Sequence, residues 1–460
     1  MSVEFRSTVE GIDWPGVPDA RSATIGALLL QLEQSQWWSP EELRRRQNAQ
    51  LLELVEHART TVPFYARRFA DLPLSIELAL DPEGWEQISP LTRADIQAAG
   101  DTLLSAQLPA GHGGTNTMYT SGSTGTPIRA VRSELWEMFW GAFTIRDHLW
   151  HRRDFSGTFA SIRESGKGVL AYPEGGRSPT WGRSTGGVFQ TGPAVGVNIL
   201  TPLDQQAEWL VRQNPDYLQT HPTVAHRLAE HCQANGIRLP KLKQVETISE
   251  ILRPATREVV RAAWGVPVID MYSTREAGYL ALQCPDHEHY HVQAESALVE
   301  VLDAAGRPCR AGETGRVYVT LLHNFAMPLI RYDIGDVAEV GPPCPCGRGL
   351  PVITRILGRT QNMLVLPSGE LRWPLLSSSN IKTLLGLAPI RQYQFVQRTP
   401  DAIELRLAVS QPLTHEQEES LRAWVREKFG YPFAVTISYH PELAPKASGK
   451  FEDFVSEVKV

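Results

Sequence analysis

No lysine follows the glycine-rich stretch of this chain in the order Gly-x-x-x-x-Gly-Lys-Ser/Thr, so the point charge that P-loop nucleotide hydrolases place on terminal phosphates is missing. No apolar run is long enough to cross a bilayer, and the first ten residues carry acidic groups where a secretory signal has an apolar core. A cytoplasmic, soluble protein with no membrane partner is the expectation. Five cysteines, an odd number in 460 residues, argue against a disulfide framework. A formal net charge of -6 leaves no basic footprint for nucleic acid. The expected partner is a small molecule.

What is present is a globular composition, 42% hydrophobic and 21% charged, in a chain long enough for two or three packed units. Its focus is Tyr119 to Pro127, two serines and three threonines interleaved with Gly122 and Gly125. Such a stretch is a loop whose hydroxyls and approachable backbone N–H groups suit a phosphate chain. Before it, Pro40 and Glu41-Glu42 predict a helix over Ser39 to Arg59, and a second helix start sits at Thr92. After it, Trp136, Phe139, Trp140, Phe143 and Trp150 fall along one helical face, a core stripe that can also wall an aromatic pocket. From 155 to 300, short apolar runs alternate with helical patterns, which predicts parallel β-α units. Residues 297 to 340 switch to period-2 segments broken by glycines, the pattern of an antiparallel β-rich portion. The pattern restarts after Gln361 as a small α+β unit of about 100 residues, an ordinary size for a small domain.

Five ordered motifs carry a resemblance: Ser121-Gly122-Ser123-Thr124-Gly125-Thr126-Pro127, Tyr272-Ser273-Thr274-Arg275-Glu276, Arg331-Tyr332-Asp333-Ile334-Gly335-Asp336, Arg355-Ile356-Leu357-Gly358-Arg359 and Pro445-Lys446-Ala447-Ser448-Gly449-Lys450. Together they resemble the core motifs of the adenylate-forming superfamily, which includes acyl-CoA synthetases, adenylation domains of peptide synthetases and luciferases. The segment Ile128 to Val131, the phrase Met327 to Tyr332 and the insert Cys344-Pro345-Cys346-Gly347-Arg348 are most similar to the phenylacetate-CoA ligase group. The resemblance implies an α/β fold: a large multi-subdomain N-terminal adenylate-forming domain over 1-361 with a β-rich portion, and a small α+β C-terminal lid over 362-460.

The implied chemistry is activation of an aromatic or other hydrophobic carboxylic acid by ATP and Mg²⁺, giving acyl-AMP and pyrophosphate, then transfer to coenzyme A. By the resemblance, Ser121, Gly122, Ser123, Thr124 and Gly125 hold phosphates, Glu276 positions Mg²⁺, and Glu250 and Tyr272 border base and ribose. Asp336 takes the ribose hydroxyls, Arg359 assists on the ribose and phosphate side, and Lys450 reaches the α-phosphate from the mobile lid. Three departures touch these sites: Ser273 and Arg275 around the tyrosine-glutamate motif, Gln361 and Asn362 at the hinge, and Thr247-Ile248-Ser249 before Glu250. Arg275 either pairs with Glu276 or recognises an extra anionic group on the substrate. The other readings are transfer to an amine, a hydroxyl or a carrier-protein thiol, and a non-catalytic ATP-binding regulator. A homodimer is compatible with each.

The cysteines form an independent pattern. Cys284-x-x-His287 and Cys344-x-Cys346 offer three thiols and an imidazole, the donor set of a closed, structural tetrahedral zinc site, with His289 and His291 competing for the place of His287. Free thiols are the alternative.

Overall fold

A computed structural model describes residues 4-70, 85-119, 128-166, 168-359, 363-372, 378-443 and 452-458. The chain forms two compact units: Met1–Ala160, Arg177–Val195 and Ile269–Ile356 make one, and Ser161–Gly176, Gly196–Val268 and Leu357–Val460 make the other. The architecture is α/β, with a large many-stranded N-terminal part and a smaller C-terminal α+β region.

The first unit opens on helices whose ends the sequence specifies. In α1 (Ala20–Ser35) the Asp19 carboxylate accepts a hydrogen bond from the Ser22 N–H at 2.8 Å. Helix α2 (Pro40–Thr61) starts at the Ser39 cap, with Pro40 in its first turn and Glu41 and Glu42 at the positive end of the helix dipole. It buries Leu43, Leu51, Leu54 and Val55. Pro63 then opens a separate short helix, Pro63–Arg68, where the sequence suggests only an end. Helix α3 (Arg93–Ala99) carries a full capping box between Thr92 and Asp95. Strands β1 (Thr115–Tyr119) and β2 (Arg129–Ser133) pair antiparallel with Asn116 opposite Arg132. Ser133 ends β2 and caps α4 (Glu134–Trp150), so the ribbon runs into the aromatic helix without a spacer.

In the second unit the alternating pattern gives parallel strands β3 (Tyr217–Thr220) and β4 (Gln244–Thr247), joined through α5 (Pro222–Ala234). Helix α6 (Pro254–Trp264) follows and stops at Gly265, whose φ of 73° makes it a left-handed C-cap.

The antiparallel portion of the first unit contains β5 (Val268–Thr274), β6 (Gly278–Gln283), β7 (Tyr290–Val292), β8 (Ala297–Leu302), β9 (Thr314–Leu321), β10 (Tyr332–Val340) and β11 (Val352–Arg359), in the spatial order β8-β9-β10-β11-β7-β6-β5. One face carries Val317, Val319 and Ala338 into a core shared with Leu51, Leu54 and Val55 of α2. Burial of this kind is worth about 1.5–3 kcal/mol for each large apolar side chain.

The C-terminal region has β12 (Ile390–Thr399), β13 (Ala402–Val409), α7 (His415–Phe429), β14 (Ala434–Tyr439) and β15 (Phe454–Ser456). Its sheet order is β14-β13-β12-β15, antiparallel only between β12 and β13. Leu421, Trp424, Val425 and Phe429 of α7 pack on Phe395, Leu405 and Leu407, which gives this region its own core. The Arg253 guanidinium, just before α6, is ion-paired with Asp453, which also accepts from the Tyr393 hydroxyl at 3.3 Å.

Candidate active site

Strands β5 and β6 form a hairpin, and Glu276 sits at its tip, buried. The Thr274 hydroxyl accepts from the Ala277 N–H at 3.0 Å and fixes that turn. Gly278 has a φ of 80°, and a Cβ there would stand 2.6 Å from Cζ2 of Trp136, so only glycine lets the hairpin lie against α4. A buried carboxylate in this position offers a hard oxygen donor of the kind Mg²⁺ takes.

Two residues expected at the nucleotide meet directly. The Tyr272 hydroxyl donates to Asp336 Oδ2 at 2.7 Å, and both residues are buried. The bond orients the carboxylate, a group whose oxygens are acceptors of the kind a vicinal diol needs. Arg331, in the same motif as Asp336, is spent on structure: it is ion-paired with Glu300 at 3.2 Å and donates to the carbonyls of Trp85, Glu86 and Ile88. Burial pushes the Glu300 carboxyl up, with Arg331 acting against it.

The α4 stripe serves two purposes along its length. Near its start, Trp136, Phe139, Trp140 and Phe143 line a cleft with Tyr279 and His323, closed to a volume of about 10 Å³. Phe139 stacks on His323 at 4.1 Å, and Trp140 lies 4.9 Å from Tyr279. At its end, Trp150 packs against Arg348 and the edge of His291. Arg132, on β2, extends beneath the first part, its guanidinium 4.3 Å from the Trp136 ring and 5.5 Å from Trp140. Burial pushes its pKa down to about 10, opposed by Glu137 and Glu276, so it stays charged at neutral pH. Nothing in the sequence pattern singles it out. A second cavity, of about 220 Å³, lies at the ends of β1 and β2 between Tyr119, Ile128, Arg129, Ile96 and Met327.

In the second unit, Glu250 accepts from the N–H and hydroxyl of Thr223 at 3.1 and 2.8 Å, and His221 lies 3.5 Å from its other oxygen. Ser249 before it has a φ of 70°, an unfavourable backbone for a residue with a Cβ. Ser121, Gly122, Ser123, Thr124, Gly125, Gln361, Asn362 and Lys450 lie outside the described residues, as does the side chain of Arg359.

The cysteine pattern converges in three dimensions. Cys284 and Cys344 place their sulfurs 3.8 Å apart, His289 Nε2 is 3.0 Å from Cys344 Sγ, and His291 Nε2 is 3.4 Å from Cys346 Sγ. Donor atoms of Cys284, His289, His291 and Cys344 lie within 4.8 Å of one another. His287 is outside that group and stacks on His289 at 5.1 Å. Burial holds both His289 and His291 neutral, the latter down to about 3, and neutral imidazole is the metal-binding form. Burial raises Cys344 to about 12; at Cys346 it acts the same way but is outweighed by the Arg348 backbone N–H and guanidinium, which lower that thiol. Thiols and neutral imidazoles at these separations fit a zinc ion.

An α/β body with a hairpin glutamate, a tyrosine-oriented aspartate and a small α+β C-terminal region is the arrangement of adenylate-forming enzymes. Residues 47-325 match the AMP-binding enzyme family, and the chain belongs to it. It is 27% identical over 453 residues to the phenylacetate-coenzyme A ligase of Thermus thermophilus, covering 89% of this chain and 95% of that protein. It is 24% identical to the phenylacetate-coenzyme A ligase of Aromatoleum evansii, over 71% of this chain and 73% of the relative. Its fold matches a crystal structure of 2-hydroxyisobutyryl-CoA ligase in the postadenylation state with a TM-score of 0.70, at 18% identity and 92% coverage of both chains. The protein is a ligase that uses ATP to activate a carboxylic acid as an acyl-adenylate.

Proposed function

We propose that the acid is aromatic or otherwise hydrophobic and that coenzyme A is the acceptor. The observation that carries this reading is the relationship to phenylacetate-coenzyme A ligases along nearly the whole chain, and the aromatic cleft on α4 supports it. In the first half-reaction a carboxylate oxygen attacks the α-phosphorus, the bond from that phosphorus to the α-β bridging oxygen breaks, and pyrophosphate leaves. In the second, the coenzyme A sulfur attacks the acyl carbon, the bond to the AMP oxygen breaks, and the thiol proton passes to solvent.

Both steps bring anions together, so fixed donors and cations decide the rate. Ser121 to Gly125 hold the phosphates, Asp336 and Tyr272 the ribose, Glu250 the base side, and Arg359 the ribose-phosphate side. Glu276 holds magnesium, which supplies charge neutralisation at the phosphates when bound. Residues 1-361 form the adenylating domain and 362-460 a lid that swings Lys450 in for adenylation and out for transfer. A structural zinc sits on Cys284, His289, His291 and Cys344, with Cys346 beside the site rather than on it. The same reading takes the enzyme as cytoplasmic and is compatible with a homodimer, which light scattering tests for its oligomeric part.

The test is a panel of aryl and alkyl acids read by pyrophosphate release with and without coenzyme A. Release with an aryl acid and a thioester product is expected. Release without thioester overturns the acceptor, and no release while ATP binds returns the chain to the regulatory reading.

A further inference from the structure

Arg132 is more than nine-tenths buried, and among the described residues neither its Nε nor its Nη2 has a hydrogen-bond partner. A buried guanidinium left in that state loses its hydration with nothing to replace it, which destabilises the fold until a partner binds. Glu137 and Glu276 act on it through space and Arg275 opposes them, which balances charge without satisfying the donors. Nε and Nη2 are also a particular pair: their N–H bonds run parallel from one side of the guanidinium plane, the fork that meets both oxygens of a carboxylate.

The guanidinium carbon lies 4.3 Å from the ring of Trp136 and 5.5 Å from that of Trp140, two indoles that line the aromatic cleft, and Trp140 is only half-buried. We infer that Arg132 is a specificity-determining residue that grips a second carboxylate on the acid, so that the substrate class is a dicarboxylic acid with an aromatic or hydrophobic body. This rests on the ligase reading above and narrows it. The carboxylate held here is the distal one, because a bidentate clamp on the reacting group would draw charge from the oxygen that must attack phosphorus. An acid lacking the second carboxylate leaves the fork unpaired, the situation in which polar sites discriminate most strongly.

The experiment compares benzoate and phenylacetate with their 3- and 4-carboxy derivatives by pyrophosphate release, in the wild type, Arg132→Leu and Arg132→Lys. The wild type should favour at least one diacid over its parent by roughly tenfold or more in kcat/KM. Arg132→Leu should bring that ratio close to one, with Arg132→Lys between, since lysine keeps the charge and loses the fork. Release from monoacids with no diacid preference overturns the inference and leaves the ligase reading intact. If no acid releases pyrophosphate, the ligase reading fails, and calorimetric titration of diacid and monoacid into wild type and Arg132→Lys decides the inference alone. Equal affinity for both acids overturns it, and diacid binding weakened by the lysine supports it. Circular dichroism checks the leucine variant, and if it is misfolded the lysine variant carries the comparison.

Discussion

Tyr272 and Asp336 illustrate how one hydroxyl orients a carboxylate proposed to bind the ribose. A hydrogen bond to a charged acceptor contributes about 1.5–3 kcal/mol, so Tyr272→Phe should raise the KM for ATP by roughly ten- to a hundredfold. The KM for the acid should move far less. An unchanged ATP KM in a variant of unchanged melting temperature would mean that Asp336 needs no such orientation. His323 gives a second residue-scale expectation. Burial holds its imidazole at about 4, below the ordinary 6.5, with a bond to the Glu295 carbonyl opposing that shift. Because the unfolded chain binds the proton first, stability is full above about pH 6.5 and falls as the pH drops towards 4, by about 1.4 kcal/mol per unit for one proton. Denaturation of His323→Gln across that window should show a slope smaller by close to one proton. These single residues were unevenly legible in the sequence. Tyr272 and Asp336 stand in motifs; Arg132 does not, because two arginines in a five-residue strand read as ordinary solvated charge until β2 is seen to end beneath α4. The imidazoles of the cysteine cluster were legible only as a choice among three, since Cys-x-x-His spacing favours the nearest histidine. The hydrogen bond from the Cys284 N–H to the His289 carbonyl at 2.8 Å turns the chain so that His289 faces the thiols.

At the scale of elements, the helices and the antiparallel strands were read well because local chemistry fixes them. Ser39, Thr92, Ser133 and Thr414 all act as caps. What the sequence did not show is pairing between distant segments, such as Arg253 before α6 with Asp453 beside β15. Asp453 follows Lys450 by three positions, so this ion pair holds the chain just beyond the expected catalytic lysine. If the lid reading is right, Arg253→Ala should slow acyl-AMP formation several-fold while leaving thioester formation from supplied acyl-AMP within about twofold. Equal slowing of both steps would instead assign Arg253 to general stability.

For the whole molecule, two half-reactions share one chain, and the lid proposal makes Lys450 the residue that separates them. Removing a preorganised cation from a developing charge costs on the order of a hundred- to a thousandfold in rate, so Lys450→Ala should nearly abolish pyrophosphate release. Transfer from chemically supplied acyl-AMP should persist. No loss in the first step would remove Lys450 from the site. The metal expectation also belongs to this scale: freshly purified protein should contain about one zinc per chain, and chelation should lower its melting temperature, because a structural zinc is part of the folding free energy. Metal analysis showing none would falsify it.

Helix α4 gives that zinc a wider meaning. Over 17 residues, roughly 25 Å of rigid rod, it carries Trp136 and Trp140 at one end and Trp150 against Arg348 and His291 at the other. The thiol cluster is therefore packed against one end of this rod, and the aromatic cleft is built on the other. Stripping the metal should blunt the enzyme's choice among acids before it disturbs its hold on ATP, measured as a rise in acid KM that precedes any rise in ATP KM. Substrate choice would then be kept sharp by an ion that never meets the substrate.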